Sequence, residues 1–394
     1  MKAQGRGRVP RVFCVMGLVL VLFLLSCAGD DDDSADTTDD DQQPDDDAVD
    51  DDAIDDDAVD DDVIDDDAAD DDTYFPHEEL FHAVLNRLVV NHWDPSGNWT
   101  EDIMEDATTF APEVLFAYGY EINDTSLIDM GAATCLYELD LVHSLFPVDP
   151  DIWYAAGMGT VALWWGYRYD VDPEFALWFH GLVPLANPLV KIIYPYLSGN
   201  YFGPGTALGF IAHLDHEIAR YETGWWRTYA IEQAGELIAE ARENLWDEDR
   251  GLFLDFLTTN NATMLVAIAE HLVFVDDPEL LAFAESFVQS FRDNFFDEVG
   301  GGFWDDDYLD RKSLSENSMA LRGLIAMYEA TGSATYRAYA EEQLATIESL
   351  LCDQGICYHH WTTGSGRADY FCTGCNFLLL DDMHYLHRLG GGRE

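Results

Sequence analysis

The sequence has 394 residues, with 77 Asp and Glu against 19 Lys and Arg, which gives a formal net charge of −58 at pH 7. Such an acidic chain repels polyanions, so binding to nucleic acid or directly to an anionic lipid surface is disfavoured on electrostatic grounds. Aromatic residues make up 13% of the chain and include 11 Trp, which suits a wide helical core or a cleft in which flat ligands stack.

Residues 1–26 have the features of an export signal. Basic residues precede an apolar run from Val12 to Leu25, which is too short to span a bilayer comfortably. The run ends in Leu24-Leu25-Ser26-Cys27, which resembles the lipobox of bacterial lipoproteins, in which Cys27 would be lipidated and become the mature N-terminus. An uncleaved anchor or an ordinary signal is the alternative. In each case the folded part is expected outside the cytoplasm.

Residues 27–73 are predicted to be a disordered acidic linker. Asp30 to Asp72 contains 26 Asp and no Lys, Arg or Glu, so it cannot bury enough apolar surface to offset the entropy of ordering. Calcium binding by the Asp triplets is an alternative, but no Gly or closing Glu shapes a coordination loop. Without this tract and the signal, 51 acidic side chains still face 15 basic ones, so the remaining domain, residues 74–394, is itself acidic.

This domain carries a repeat of about 50 residues. An aromatic-Asp step followed by Gly and a second aromatic residue occurs in Phe296–Phe303 and in Trp246–Phe253, with looser copies elsewhere. The copies are placed at residues 94, 147, 198, 247, 297 and 353, at intervals of 49 to 56 residues. Such a period indicates units that cannot bury an apolar face alone. Six helical hairpins of this length account for the domain.

The predicted helices alternate between two kinds. Amphipathic helices with one charged face are predicted at Pro76–Trp93, Thr125–Phe146, Pro173–Leu197, Trp225–Trp246, Pro278–Phe296 and Ala334–Leu351. More apolar helices are predicted at Met104–Ile122, Ile152–Tyr169, Pro204–Tyr221, Ala262–Val275, Ser315–Ala330 and Ala368–Leu389. Two concentric rings of helices require both kinds, since an outer helix needs a polar face and an inner helix is apolar throughout. Long loops join each outer helix to the next inner one, so the loops are expected at one mouth, where the N-terminal ends of the inner helices converge.

Two stretches resemble a known superfamily. The segment Ser315–Leu324, continuing to Tyr336-Arg337, resembles the six-hairpin (α/α)6 toroids, and among them the N-acylglucosamine 2-epimerase-like group and the helical domain of the spermatogenesis-associated-20-type proteins. Glu105-Asp106 is similar to the Glu-Asp opening of the first inner helix in the latter. The resemblance implies an all-α, (α/α)6 toroid. The chain does not match the thioredoxin-like domain that precedes the second group's toroid, or the catalytic His pattern of the epimerases.

Acidic residues at the starts of inner helices are the candidate catalytic groups. Glu105 and Asp106 lie in the first turn of the first inner helix, and Glu316 lies in the first turn of the fifth. Glycoside hydrolysis needs two carboxyl groups on either side of a sugar ring, one protonated and one ionised, and Asp106 with Glu316 is the pair that best meets this need. The alternative is that these acids cap their helices and complement the helix dipoles.

Loops and first turns around the mouth supply the candidate sugar-binding residues: Trp99, Asn260, Asn261, Phe303, Trp304, Asp305, Asn317, His360 and Trp361. The alternatives are a solvated loop for Asp305 and an N-cap for the Asn260-Asn261 pair. His213 and Glu217, four residues apart on one helix, suggest a metal site but supply only two ligands. Histidines satisfied within the lumen are therefore favoured, and no metal or other cofactor is expected.

Five cysteines follow Cys27. Cys352, Cys357, Cys372 and Cys375, with two His between the pairs, could bind zinc, but two disulfides are favoured in an oxidising compartment. Cys135, within an outer helix, is expected to be a buried free thiol.

These patterns predict a monomeric, lipid-anchored protein of the bacterial cell envelope that acts on a carbohydrate by general acid and base catalysis. A non-catalytic glycan-binding or scaffold protein with the same fold is one alternative. A sugar epimerase-like enzyme is another.

Overall fold

The computed structural model describes residues 77–100, 107–145, 161–196, 203–254, 257–305 and 309–390. The helices of this part of the chain alternate between an outer and an inner layer. The outer helices are α1 (Glu78–Asn91), α3 (Thr125–Leu145), α5 (Pro173–Ile193), α7 (Gly224–Asn244), α9 (Pro278–Phe295) and α11 (Ala334–Leu351). The inner helices are α2 (Ala107–Glu121), α4 (helical at 161–168), α6 (Pro204–Tyr221), α8 (Thr258–Phe274), α10 (Leu314–Thr331) and α12 (Thr373–Gly390).

Five of the inner helices pack side by side. Helix α6 packs on α8, α8 on α10, α10 on α12, and α12 on α2. The first turns of neighbouring inner helices bond to one another, since Thr206 of α6 donates to Asn260 of α8 at 3.0 Å, and Thr259 of α8 donates to Glu316 of α10 at 2.9 Å. These inner helices therefore run parallel, with their N-terminal ends at one mouth. The predicted all-α, (α/α)6 toroid is confirmed.

Burial explains why the two helix kinds differ in sequence. Outer helix α9 buries a stripe at Leu280, Ala284, Phe287, Phe291 and Phe295 and leaves its other faces more polar. Inner helix α8 is buried at almost every position from residue 258 to 272. An outer helix needs one apolar face, whereas an inner helix meets protein on all sides.

Acidic and hydroxyl caps begin several outer helices. Asp172 accepts from the backbone N–H of Glu174, Asp277 from those of Glu279 and Leu280, and Ser333 from that of Thr335. Each bond satisfies an N–H that has no partner inside the helix. The short turns that join inner helices to outer helices therefore supply the N-caps of these outer helices.

The repeated aromatic-Asp-Gly motif is a miniature β-hairpin. β1 (Trp246–Asp247) pairs antiparallel with β2 (Leu252–Phe253), and isolated bridges join Trp93 to Trp99 and Phe296 to Phe303. In the last copy, β4 (Cys352–Asp353) pairs with β5 (Ile356–Cys357). Cys352 thus faces Cys357 where the three copies just described place two rings.

A disulfide joins Cys352 to Cys357, and a second joins Cys372 to Cys375. The two predicted disulfides are confirmed, and each joins cysteines that are at most 5 residues apart in the chain. Cys135 is buried and has no disulfide, as predicted.

A three-stranded sheet precedes the last inner helix. β3 (Arg311–Ser313) pairs with β6 (His360–Thr362), which pairs with β7 (Gly366–Arg367). Because the chain is still in this sheet at Arg367, α12 begins at Thr373 and not at the predicted Ala368.

Helix α5 is bent by 46° between Pro173–Gly181 and Ala186–Ile192. Pro184 lies in the break, where it lacks the N–H that would continue the helix. Among the described residues, no single helix is long and apolar enough to cross a membrane, and this bent pair meets the requirement by length and composition only.

Several sequence-based predictions fall outside the described residues. These are the signal and Cys27, the acidic linker, the candidate acids Glu105 and Asp106, and the repeat copies at residues 147 and 198.

Candidate functional site

The best-formed polar site at the mouth lies where the first turn of α10 meets the first turn of α8 and the loop that follows α9. This loop carries Trp304 and Asp305 and leads into β3, whose partner β6 carries His360 and Trp361. Pairing of β3 with β6 therefore brings together two parts of the chain that are about 50 residues apart.

Glu316 is the central acid of this mouth site. It is 4% exposed, and its oxygens accept hydrogen bonds from Thr259 Oγ1 at 2.9 Å and from Ser315 Oγ at 2.6 Å. Burial raises the pKa of Glu316 from 4.5 to about 7, and the nearby charge of Asp305 adds to this rise. Glu316 can therefore hold or release a proton near neutral pH.

Asp305 is a fixed carboxylate beside Glu316. It is 5% exposed, pairs with Arg311, and accepts hydrogen bonds from the Ser313 backbone N–H at 2.5 Å and the Ser313 hydroxyl at 2.9 Å. Asp305 is not part of a freely solvated loop, because it ties the loop to the start of α10.

Two half-buried Trp rings stand over this part of the mouth. The ring centroids of Trp304 and Trp361 are 6.4 Å apart with planes inclined by 44°. Lys312 Nζ lies 4.1 Å from the centroid of Trp304 and 5.6 Å from that of Trp361, and it is held by Asp297 Oδ2 at 2.7 Å. The ammonium group stacks on both rings and steadies them, so each ring can offer a face to a flat ligand.

His359 and His360 extend the site along β6. Their Nδ1 atoms are 3.0 Å apart, and the hydroxyl of Tyr370 lies 2.9 Å from His359 Nδ1. Burial lowers the pKa of His359 to about 4, with His360 and Arg311 adding to the effect. Burial and Arg311 also lower the pKa of His360. A neutral imidazole at this position can accept a hydrogen bond from one sugar hydroxyl and donate one to another.

Three of the predicted sugar-binding residues make bonds within the protein instead. Asn261 and Asn317 each stand fourth in an inner helix and bond both the N–H and the C=O of an aromatic hairpin residue, Phe253 and Phe303. Asn260 accepts from the Thr206 backbone of the neighbouring helix at 3.0 Å. All three are at most 1% exposed, so the structure gives them a structural task. The alternative of an N-cap is wrong, because α8 already begins at Thr258; Asn260 instead satisfies a first-turn N–H of the neighbouring α6.

Trp99 and Phe303 belong to the core and not to the surface of the mouth. Trp99 is 2% exposed, and its indole N–H donates to Thr134 Oγ1 at 3.2 Å. Phe303 is fully buried and stacks on Phe291 at 4.7 Å between centroids. A sugar could reach these rings only by opening the hairpins, since both rings pack inward from them.

A second polar cluster, which the sequence analysis did not assemble, lies at mid-height in the lumen. Its centre is Arg322, 2% exposed, which donates to Glu270 at 3.1 Å, to Asp381 at 2.6 Å and to Glu217 at 3.3 Å. These four residues come from four consecutive inner helices. The available signal was Arg322 within the apolar run Met319–Met327, in a segment that served only to indicate the fold.

Histidines extend this lumen cluster. His213 Nδ1 lies 2.7 Å from Glu270 Oε2, and His216 Nδ1 lies 3.5 Å from the same oxygen. Burial is the largest single cause acting on both imidazoles, and it lowers their pKa. For His213 the charge and the hydrogen bond of Glu270 together exceed this effect, so the pKa of His213 is raised, whereas that of His216 is lowered. The sequence-based preference for histidines satisfied in the lumen fits His213 and does not fit His216 Nδ1, which has no hydrogen-bond partner among the described residues.

Buried carboxyl groups surround the same cluster. Glu113 and Asp382 are at most 3% exposed, and burial raises the pKa of each well above its usual value. Neighbouring carboxylates, Asp381 for both groups, add to the rise. The lumen therefore holds more acidic groups than its guanidinium groups can neutralise.

Solved structures show what this arrangement is similar to. A possible member of the GH105 family from Salmonella enterica is 14% identical with a TM-score of 0.57, and the match covers 79% of this chain and 93% of that chain. An inactive variant of the GH76A α-1,6-mannanase of Salegentibacter sp., in complex with α-1,6-mannotetrose, is 14% identical with a TM-score of 0.58, covering 79% and 98%. A D-mannose isomerase is 9% identical with a TM-score of 0.59, covering 79% and 97%.

No protein-family model and no curated protein matches the sequence. At identities of 9% to 14% the structural likeness establishes the fold and leaves the chemistry to the site. The chain has the six-hairpin (α/α)6 toroid fold that these sugar hydrolases and isomerases share.

Proposed function

We propose that this protein is an enzyme that acts on a glycan at the mouth of the toroid, with Glu316 as the general acid. The observation that carries the proposal is a carboxyl group buried at the N-terminal end of an inner helix, with a pKa of about 7. Its neighbour Asp305 directly follows Trp304, which is paired with Trp361 as one of two half-buried rings. An acid that donates a proton to a glycosidic oxygen must stay protonated near neutral pH. Tryptophan faces provide the apolar surface on which a pyranose ring stacks.

The mechanism follows from the environment of each acid. Glu316 donates its proton to the leaving oxygen as the glycosidic bond breaks, and a second carboxylate either activates a water molecule or attacks the sugar. Asp305 is poorly suited to this second task, because Arg311 and Ser313 occupy its oxygens. Our choice for the second carboxylate is Asp106, which directly precedes Ala107, the first residue of α2, in the sequence.

The structural likenesses support a carbohydrate as the substrate class. The similar structures include an α-1,6-mannanase with a bound mannose oligosaccharide and a mannose isomerase. The acidic balance of the chain, −58 overall, makes a neutral glycan a better substrate than a polyanionic one.

The test is a screen of the purified protein against neutral and acidic glycans, followed by the matched variants Glu316→Gln and Glu298→Gln. Glu298 lies exposed in the hairpin loop after α9. We expect Glu316→Gln to lower kcat on any cleaved glycan by at least about a hundredfold and to leave glycan binding intact, whereas Glu298→Gln should act like the unchanged protein. Full activity of Glu316→Gln would show that the acid lies elsewhere. Binding without turnover by the unchanged protein would favour the non-catalytic alternative.

A sugar epimerase or isomerase is the second candidate. It is favoured by one observation, the contact of 2.7 Å between His213 and Glu270 next to the guanidinium of Arg322. An imidazole oriented by a carboxylate can move a proton next to a carbonyl group, and a guanidinium can stabilise the resulting oxyanion. The same screen separates the two candidates, because an epimerase changes the sugar at constant chain length while a hydrolase shortens the chain.

We also propose that the protein is a monomer anchored to the cell envelope by lipid on Cys27. The support is the sequence Leu24-Leu25-Ser26-Cys27 after a short apolar run, followed by an acidic stretch that would hold the toroid away from the membrane.

A further inference from the structure

We propose that His213, Glu217 and Glu270 bind a divalent transition-metal ion in the lumen of the toroid. The site lies below the mouth and does not use Glu316. His213 and Glu217 come from α6, one turn apart, and Glu270 comes from the neighbouring α8. One ligand atom from each of the three residues lies within 4.8 Å of the others. The sequence offered two of these ligands, and the packing of α6 on α8 supplies the third.

Arg322 arranges the two carboxylates for an ion. Its Nε atom binds Glu270 Oε1 at 3.1 Å, and its NH2 group binds Glu217 Oε1 at 3.3 Å. The guanidinium therefore occupies one oxygen of each carboxylate and leaves the Oε2 atoms for another partner. An outer group that orients ligands in this way is a regular feature of metal sites in proteins.

One carboxylate oxygen of this cluster has no hydrogen-bond partner among the described residues. Glu217 is 1% exposed, and its Oε2 atom is buried and accepts no hydrogen bond from the described residues. A carboxylate oxygen in that position costs free energy unless something binds it. Glu270 Oε2, in contrast, meets His213 Nδ1 at 2.7 Å. An ion between these atoms would satisfy Glu217 Oε2 and replace the proton shared by His213 and Glu270.

The ligand set indicates which ions fit. One imidazole and two carboxylates suit Zn²⁺, Mn²⁺ or Co²⁺ better than the all-oxygen sites of Mg²⁺ or Ca²⁺. Three protein ligands leave a coordination position for water or a substrate oxygen. Because the ion displaces a proton, its uptake releases one to solvent.

The experiment measures Zn²⁺ binding by the full chain, first stripped with a chelator, in competition with a chromogenic chelator. The Asp-rich tract of residues 30–72 also attracts cations, so the variants carry the test. Glu217→Gln removes one proposed ligand, and Asp215→Asn is its control. Asp215 lies on the same helix, is 1% exposed, and accepts from Asn187 at 2.9 Å outside the cluster.

We expect the unchanged protein and Asp215→Asn to bind one Zn²⁺ ion more tightly than any further Zn²⁺ ions. Glu217→Gln should bind that first ion at least about tenfold more weakly. Titration calorimetry in two buffers of different ionisation enthalpy should show about one proton released per ion. If Glu217→Gln does not fold, His213→Gln takes its place. Equal Zn²⁺ affinity in the unchanged protein and the ligand variant, or the absence of a tight ion in the unchanged protein, overturns the proposal.

Discussion

Replacing Glu316 by Gln should stabilise the protein at alkaline pH while abolishing its function. Gln has the shape of the protonated acid, and it can still accept from Thr259 and donate to Ser315, the two partners of Glu316. The variant therefore removes only the ability to ionise.

The size of the effect follows from the pKa of Glu316, which is raised from 4.5 to about 7, first by burial and then by the charge of Asp305. Below pH 4.5 the folded and unfolded states both carry the proton. Between pH 4.5 and 7 only the folded state keeps it, so the free energy of unfolding falls as the pH rises. Above pH 7 the loss is complete, and it amounts to about 3 kcal/mol.

The assay is urea unfolding of the unchanged protein, Glu316→Gln and Glu298→Gln at pH 4.5 and at pH 8. We expect Glu316→Gln to unfold with nearly the same free energy as the unchanged protein at pH 4.5 and to be more stable by about 3 kcal/mol at pH 8. The exposed Glu298→Gln control should differ by less than about 0.5 kcal/mol at both values.

The opposite outcome would refute the reasoning. If Glu316→Gln is less stable than the unchanged protein at pH 8, the carboxylate is ionised in the folded state and stabilises the first turn of α10 as a helix cap. If turnover is found, its rate should also fall as the pH rises through about 7, because only protonated Glu316 can donate a proton.

Three further predictions concern other parts of the chain. Cys27→Ser should move the protein from the membrane fraction to the soluble fraction on cell fractionation, and continued membrane binding would indicate an uncleaved apolar anchor. Replacing both Cys352 and Cys357 by Ser should lower the free energy of unfolding by about 2 kcal/mol in urea, since a short loop is released; equal stability in the presence and absence of a reductant would contradict this. Arg322→Met should cost about 3–5 kcal/mol of stability, because it leaves Glu217, Glu270 and Asp381 buried without their cation; a smaller loss would mean that these carboxyl groups take up protons instead.

Local patterns predicted the helices well because each helix meets the same environment along its length. The predicted bounds of α6 and α11 agree with the structure at both ends. The repeat placed the hairpins at residues 94, 247, 297 and 353 correctly, and the disulfides follow the preference for an oxidising compartment. Each of these features depends on residues close in the chain.

The tasks of single polar residues were predicted less well. Asn261 and Asn317 have the composition of ligand-binding residues, and their bonds to Phe253 and Phe303 become apparent only when the hairpin folds onto the helix. The same fourth position of α12 holds Asn376, which donates to the C=O of Cys357 at 2.8 Å. Recurrence of Asn at the fourth position of three inner helices was a signal in the sequence, but a loop of variable length separates each Asn from its partner.

The sequence by itself determined the period, the two kinds of helix and therefore the toroid, because apolar periodicity specifies which face of each helix must be buried. Only the tertiary structure decided which charged groups meet inside it. Glu217, Glu270, Arg322 and Asp381 lie on four helices and are up to 164 residues apart in the numbering, and no local pattern relates them. Their contacts arise because parallel inner helices bring residues at similar heights together across the ring.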